Sequence, residues 1–127
     1  MRLRIIAAAV MWVAASVVCA ADIPDVSQEG LLQSIKSTDA PLVLDVRTPE
    51  EYKQGHVPGA VNIPHTEVAA RLAELGDKKD RNMVLYCEKG GRASKAADVL
   101  SKEGFTNLKH LTGDMSAWRD KDLPTEK

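Results

Sequence analysis

Two short runs, Leu42-Val43-Leu44 and Met83-Val84-Leu85-Tyr86, are apolar at every position. A strand with no polar face has to be covered on both sides, which suits the middle of a parallel sheet layered between helices. Each run is followed closely by a helix start. After the first, Thr48 is placed as N-cap, Pro49 as first helical residue and Glu51 to complete a capping box. After the second, a helical pattern runs from Ala93 to Glu103 with Ala96, Ala97, Val99 and Leu100 on one face and Gly104 ending it. The rest of the chain keeps the alternation. Asp22 to Val26 reads as an extended lead-in, and Ser27 caps a short helix with Leu31, Leu32 and Ile35 on its inner face. A short strand at Ala60 to Ile63 is stopped by Pro64, and Thr66 caps a predicted helix with Val68, Ala69, Leu72 and Leu75, closed by Gly76. A strand over Phe105 to His110 precedes a last short helix, Gly113 to Arg119, in which Trp118 reads as a packing residue. The expectation is one α/β domain with a central, mainly parallel sheet, helices on both faces and right-handed crossovers.

The second apolar run ends on Cys87, and Glu88-Lys89-Gly90-Gly91-Arg92 follow before the helical pattern begins. A Cys at the end of an apolar run can be no more than a small core residue. A core position, however, needs neither two glycines nor a Lys and an Arg within the next five residues. At the carboxyl end of a strand and the amino end of a helix, free backbone N–H groups and a partial positive charge favour a thiolate. Gly90 and Gly91 lack Cβ atoms, so the loop can turn successive amides inward around an anion resting on the sulfur. Lys89 and Arg92 add full positive charge. Cys87 is the candidate nucleophile, and Glu88, Lys89, Gly90, Gly91 and Arg92 are the candidate substrate-binding residues.

If the two apolar strands are parallel, Asp45 and Arg47 lie at the same end of the sheet as Cys87. Asp45 is then expected to hold the Arg92 guanidinium by paired hydrogen bonds and support the loop, while Arg47 reads as half of a solvated ion pair with a nearby Glu. Glu51 has a sufficient structural task in its capping box. His56, His65 and His110 are isolated, without metal-ligand spacing or an Asp partner in sequence, and read as turn or surface residues. The sequence therefore calls for no metal and no cofactor.

With 127 residues, 28% charged and 44% hydrophobic, the composition is that of one globular domain. Residues 1–20 are set apart: Arg2 and Arg4 precede an apolar run, Ile5 to Val18, closed by Val18-Cys19-Ala20. This is the pattern of a cleaved secretory signal peptide, and the run is shorter than the ~20 apolar residues of a membrane span. A lipoprotein acylated at Cys19 is the minority alternative, since Val18 stands where such signals carry a small residue. Cleavage after Ala20 or Ala21 leaves a domain over residues 21–127, expected in the periplasm or secreted space and off the membrane. Loss of Arg2 and Arg4 moves the formal charge from −1 to −3, and the dispersed Lys and Arg offer no field for nucleic acid. With Cys19 removed, Cys87 is left as a lone thiol, so no internal disulfide can form. Oligomeric state is not set by any pattern in the sequence.

The run C-E-K-G-G-R at Cys87 to Arg92 stands with L-D-V-R-T-P-E-E-Y at Leu44 to Tyr52, G-H-V-P-G-A-V-N-I-P at Gly55 to Pro64 and G-D-M-S-A-W at Gly113 to Trp118. In this order and spacing the four blocks resemble the rhodanese sulfurtransferases, most nearly the single-domain periplasmic type. The resemblance implies a Cys87 that carries a persulfide cradled by the amides of Glu88 to Arg92, and chemistry without an obligatory histidine base. It implies small-molecule partners: a sulfur donor such as thiosulfate, and a thiol or cyanide acceptor. Glu88 departs from the Arg or small residue often found there in the family and sets negative charge beside the anion site. Two other readings stand behind this one. One is a rhodanese-like module that binds a partner or passes sulfur only as a carrier; an inactive module is expected to lack the Cys, and this chain keeps it with its loop. A Cys-dependent phosphatase or arsenate reductase resembles C-x5-R, whereas Arg92 makes this loop C-x4-R, a smaller ring suited to one sulfur atom.

Overall fold

The computed structural model describes residues 22–127. The expected leader lies outside the described residues. Among the described residues no helix is long and apolar enough to cross a membrane.

The strands are β1 (Asp25–Val26), β2 (Leu42–Asp45), β3 (Val61–Asn62), β4 (Met83–Tyr86) and β5 (Leu108–Leu111), and the helices are α1 (Gln28–Ile35), α2 (Pro49–Lys53), α3 (Gly91–Lys102) and α4 (Asp114–Asp120). All strand pairs are parallel, in the order β1-β5-β4-β2-β3. The two apolar runs are the inner neighbours β2 and β4, as their two-sided apolarity requires. Successive residues on a strand point to opposite faces. Thus Leu44, Met83 and Leu85 enter a core under α3, while Val43, Val84 and Tyr86 enter a second core with Leu31 of α1 and Trp118 of α4. Helices cover both faces. Trp118 is fully buried and donates its indole N–H to the Pro124 carbonyl at 2.8 Å, so its packing role holds.

Register decides what meets at the carboxyl end of the sheet. Asp45 lies beside Tyr86, the residue before Cys87. His110 on β5 lies beside Leu85 on one side and Asp25 of β1 on the other. The lead-in segment is therefore a sheet strand, and it brings a carboxylate to the Cys87 end.

The predicted helix capped by Thr66 is instead two 3-10 turns, His65–Ala70 and Leu72–Leu75. The residue in the cap position is Pro64, whose side chain has no acceptor for the free N–H groups, and Arg71 at φ −118° breaks the run. Val68 and Leu75 still reach the core. At the other boundaries Ser27 caps α1 through Gly30 N–H, and the Thr48 and Glu51 capping box on α2 is complete. Gly113 sits at φ +74°, where an added Cβ would stand 2.3 Å from that of Ala117. Only glycine fits the approach of β5 to α4.

Candidate active site

Cys87 follows β4 directly and is 1% exposed. Its sulfur accepts a hydrogen bond from Gly90 N–H at 2.9 Å. Gly90 turns the chain at φ +113° to cap α3 with backbone alone, with no side-chain hydrogen bond at the cap. The sulfur is thus set at the amino end of a twelve-residue helix whose first-turn N–H groups are free for an anion. Of the expected cradle, Gly90 N–H is the amide within hydrogen-bond distance of the sulfur.

A carboxylate stands on the other side. Asp114 Oδ1 accepts from Cys87 N–H at 3.0 Å and lies 3.7 Å from Sγ. Asp114 is 2% exposed and adopts φ +55°, a left-handed conformation that Asp tolerates better than most residues because its short side chain bonds locally. The same Oδ1 lies 2.9 Å from His110 Nε2, and His110 Nδ1 lies 3.1 Å from Asp25 Oδ1. The hydrogen bond that His110 donates to Asp114, assisted by Asp25, holds the imidazole above its usual pKa. His110 was expected to lack an Asp partner; it has two. The pairing with Asp114, four residues along, was legible as H-x3-D, whereas Asp25 is 85 residues away and is brought in by the β1/β5 register.

The loop-support roles are distributed differently from the sequence expectation. Asp45 does not hold Arg92. It is fully buried and binds Arg47, accepting from Nη2 at 2.7 Å, from Nε at 3.1 Å and from the backbone N–H of Arg47 at 2.9 Å. Tyr86 O–H donates to Asp45 Oδ2 at 2.7 Å and accepts from Val57 N–H at 3.1 Å. Burial, with the Asp45 charge beside it, pushes the Tyr86 phenol well up. Arg47, read from sequence as solvated, is 2% exposed and also donates to the Gly55 carbonyl at 2.8 Å. The signal was present: in an extended chain residues two apart share a side.

Arg92 is clamped by Glu51 in a bidentate pair at 2.6 and 3.0 Å. The Arg92 hydrogen bonds, against burial and with help from Thr48, hold the Glu51 carboxyl down at about 2. Glu51 therefore caps α2 and ties it to the Cys87 loop. Glu88 pairs with Arg119 and, at 3.5 Å, with Arg47. Lys89 is exposed, and Gly91 opens α3 with no atom within 4 Å of where its Cβ would be. Arg47, Glu51, Gln54, Gly55, Glu88 and Arg119 line a cleft of about 380 Å³ on this side of the loop. A smaller cleft of about 160 Å³, containing Asp22, Asp25, Gly90, Ser94 and His110, opens on the opposite side. Of the other histidines, His56 is buried, stacked on the Tyr52 ring at 3.6 Å and bonded to the Tyr52 carbonyl at 2.9 Å. Expected as a turn or surface residue, it is buried and has a structural task. No group of three or more His, Cys, Asp or Glu side chains suited to a metal occurs among the described residues.

The family model for the rhodanese-like domain matches residues 27–121. A protein of Allochromatium vinosum named sulfurtransferase is 34% identical over 100 residues, covering 79% of this chain and 92% of its own. The thiosulfate sulfurtransferase PspE of Escherichia coli K12 is 40% identical over 70 residues, covering 55% of this chain and 67% of its own. A crystal structure of a rhodanese-related protein from Thermoplasma volcanium superposes with a TM-score of 0.70 at 27% identity, covering 81% of this chain and 97% of that one. A buried Cys at the strand–helix junction of a five-stranded parallel sheet, in a chain matched over this span, has one family attribution: the protein belongs to the rhodanese-like domain family.

Proposed function

We propose that the protein moves a sulfane sulfur from thiosulfate or a related donor to a thiol or cyanide acceptor through a persulfide on Cys87. The observation that carries this is the Cys87 sulfur accepting from Gly90 N–H at the amino end of α3, where negative charge on sulfur is stabilised before and after transfer. In the first step the Cys87 thiolate attacks the outer sulfur of thiosulfate. A new S–S bond forms, the old one breaks, and its electron pair leaves on sulfite. In the second, an acceptor thiolate or cyanide attacks the outer sulfur of the persulfide and returns the Cys87 thiolate. No outside oxidant or reductant is needed. Incubation with thiosulfate should add the mass of one sulfur atom to the protein, and cyanide should remove it. Cys87→Ser should fold and take up none. An adduct that persists in Cys87→Ser would overturn the assignment.

Export to the periplasm or secreted space rests on Arg2, Arg4 and the apolar run that follows them, and amino-terminal sequencing of the protein from its natural host that returned Met1 would end it.

A further inference from the structure

Resting on Cys87 as the nucleophile, we propose that His110 and Asp114 form a positioning pair for it, in which the imidazolium of His110 cancels the Asp114 charge that would otherwise oppose a thiolate. Three observations meet here. Asp114 is a buried carboxylate at a left-handed backbone position, with one oxygen shared among Cys87 N–H, Cys87 Sγ and His110. Both nitrogens of His110 face carboxylate oxygens, Asp114 on one side and Asp25 on the other. A neutral imidazole has one N–H and satisfies one of them, whereas the doubly protonated ring satisfies both.

The third observation is the balance of charge around the sulfur. Arg92, on α3, is close enough to feel the Cys87 charge and is paired with Glu51. Glu88 is paired with Arg119 and Arg47, and Asp45 with Arg47. In each of those pairs the cation is a guanidinium, which does not give up its proton near neutrality. Asp114 alone among these acids is balanced by a group that can lose its proton near neutrality. The charges facing His110 are Asp114 from α4 and Asp25 from β1, with Asp22 in the same cleft; all are acidic, and Asp114 and Asp25 favour the protonated ring. When His110 loses its proton, Asp114 is left with a net charge 3.7 Å from the sulfur, and the thiolate is disfavoured. The smaller cleft, which His110 lines, gives that proton a route to water on the side away from Glu88 and Arg119.

The test is the pH profile of iodoacetamide alkylation, read by mass spectrometry on the peptide that holds Cys87, which keeps Cys19 out of the measurement. It uses no sulfur donor, so a failure of the sulfur-transfer reading and a failure of this pair are separately visible. His110→Gln should slow alkylation at pH 7 about tenfold, equivalent to moving the profile up by roughly one pH unit. Asp114→Asn keeps an acceptor for Cys87 N–H and tolerates the left-handed backbone; it should move the profile down, and His110→Gln added to it should have no further effect. Circular dichroism checks that each variant is folded, and His110→Asn carries the same test if His110→Gln is not. A profile unmoved by His110→Gln would overturn the pair, as would an equal shift with and without Asp114.

Discussion

Asp45→Asn removes one charge from a buried ion pair while preserving shape and the oxygen that accepts from Arg47 N–H; the amide NH2 in place of Oδ2 no longer accepts from Tyr86 O–H or Arg47 Nη2. What remains is the Arg47 guanidinium, 2% exposed, held by the Gly55 carbonyl and by Glu88 at 3.5 Å. Breaking a buried pair by taking one partner costs about 3–5 kcal/mol, because the other charge is left in a poorly solvating interior. Domains of this kind hold only about 5–15 kcal/mol in total. In urea, with an m-value of about 1.5 kcal/mol/M, the midpoint should fall by roughly 2–3 M with its slope unchanged. The origin of the loss is separable by a cycle. Arg47→Met should be costly in the wild-type background and should restore part of the stability when added to Asp45→Asn, since it removes the stranded charge. A loss below about 1 kcal/mol for Asp45→Asn, or an Arg47→Met cost that simply adds to it, would refute the claim that these side chains work as a compensated pair.

Two further outcomes follow from the same geometry. Glu51 titrates at about 2 in the fold against 4.5 in the unfolded chain. Its contribution is therefore complete above pH 4.5 and lost as pH falls toward 2, about 1 kcal/mol once solvent screening of this partly exposed pair is allowed for. The difference in urea midpoint between wild type and Glu51→Gln should shrink across that window; a difference independent of pH would mean that the Arg92 clamp adds nothing. At the donor side, Glu88→Gln removes a negative charge from the cleft and frees Arg119 to meet an anion, so kcat/KM for thiosulfate should rise several-fold at low salt, with the gain fading as ionic strength increases and absent for a neutral donor. Equal gains for charged and neutral donors would remove charge as the explanation.

What could be read from the sequence was whatever a few neighbouring residues decide. Leu42-Val43-Leu44 and Met83-Val84-Leu85-Tyr86 are apolar on both faces, and they are the inner strands. Thr48, Pro49 and Glu51 sit within four residues and form the cap they spell. Gly90 sets the turn that aims an N–H at the Cys87 sulfur. Partner choice among charged groups was legible only in part. Asp45 at the end of β2 and Arg92 in the first turn of α3 both lie at the carboxyl end of the sheet, but two other ions were closer to hand: Arg47, two residues along an extended chain, and Glu51, projected over the loop by α2. The 3-10 turns after Pro64 were misread because apolar spacing does not report a missing cap acceptor.

Charge pairing also gives the two sides of the Cys87 loop different characters. Toward the larger cleft, carboxylates are matched by arginines: Glu51 by Arg92, and Glu88 by Arg119 and Arg47. Guanidinium stays charged at any pH a protein survives, so an anion arriving there meets a field fixed by sequence and screened by salt alone. Toward the smaller cleft the carboxylates of Asp114 and Asp25 are matched by the imidazole of His110, a group that exchanges its proton near neutrality. Binding of a charged donor should therefore respond chiefly to ionic strength, and the state of the sulfur chiefly to pH. The two responses belong to different side chains across one buried atom, and a substitution on either side should leave the other's dependence in place.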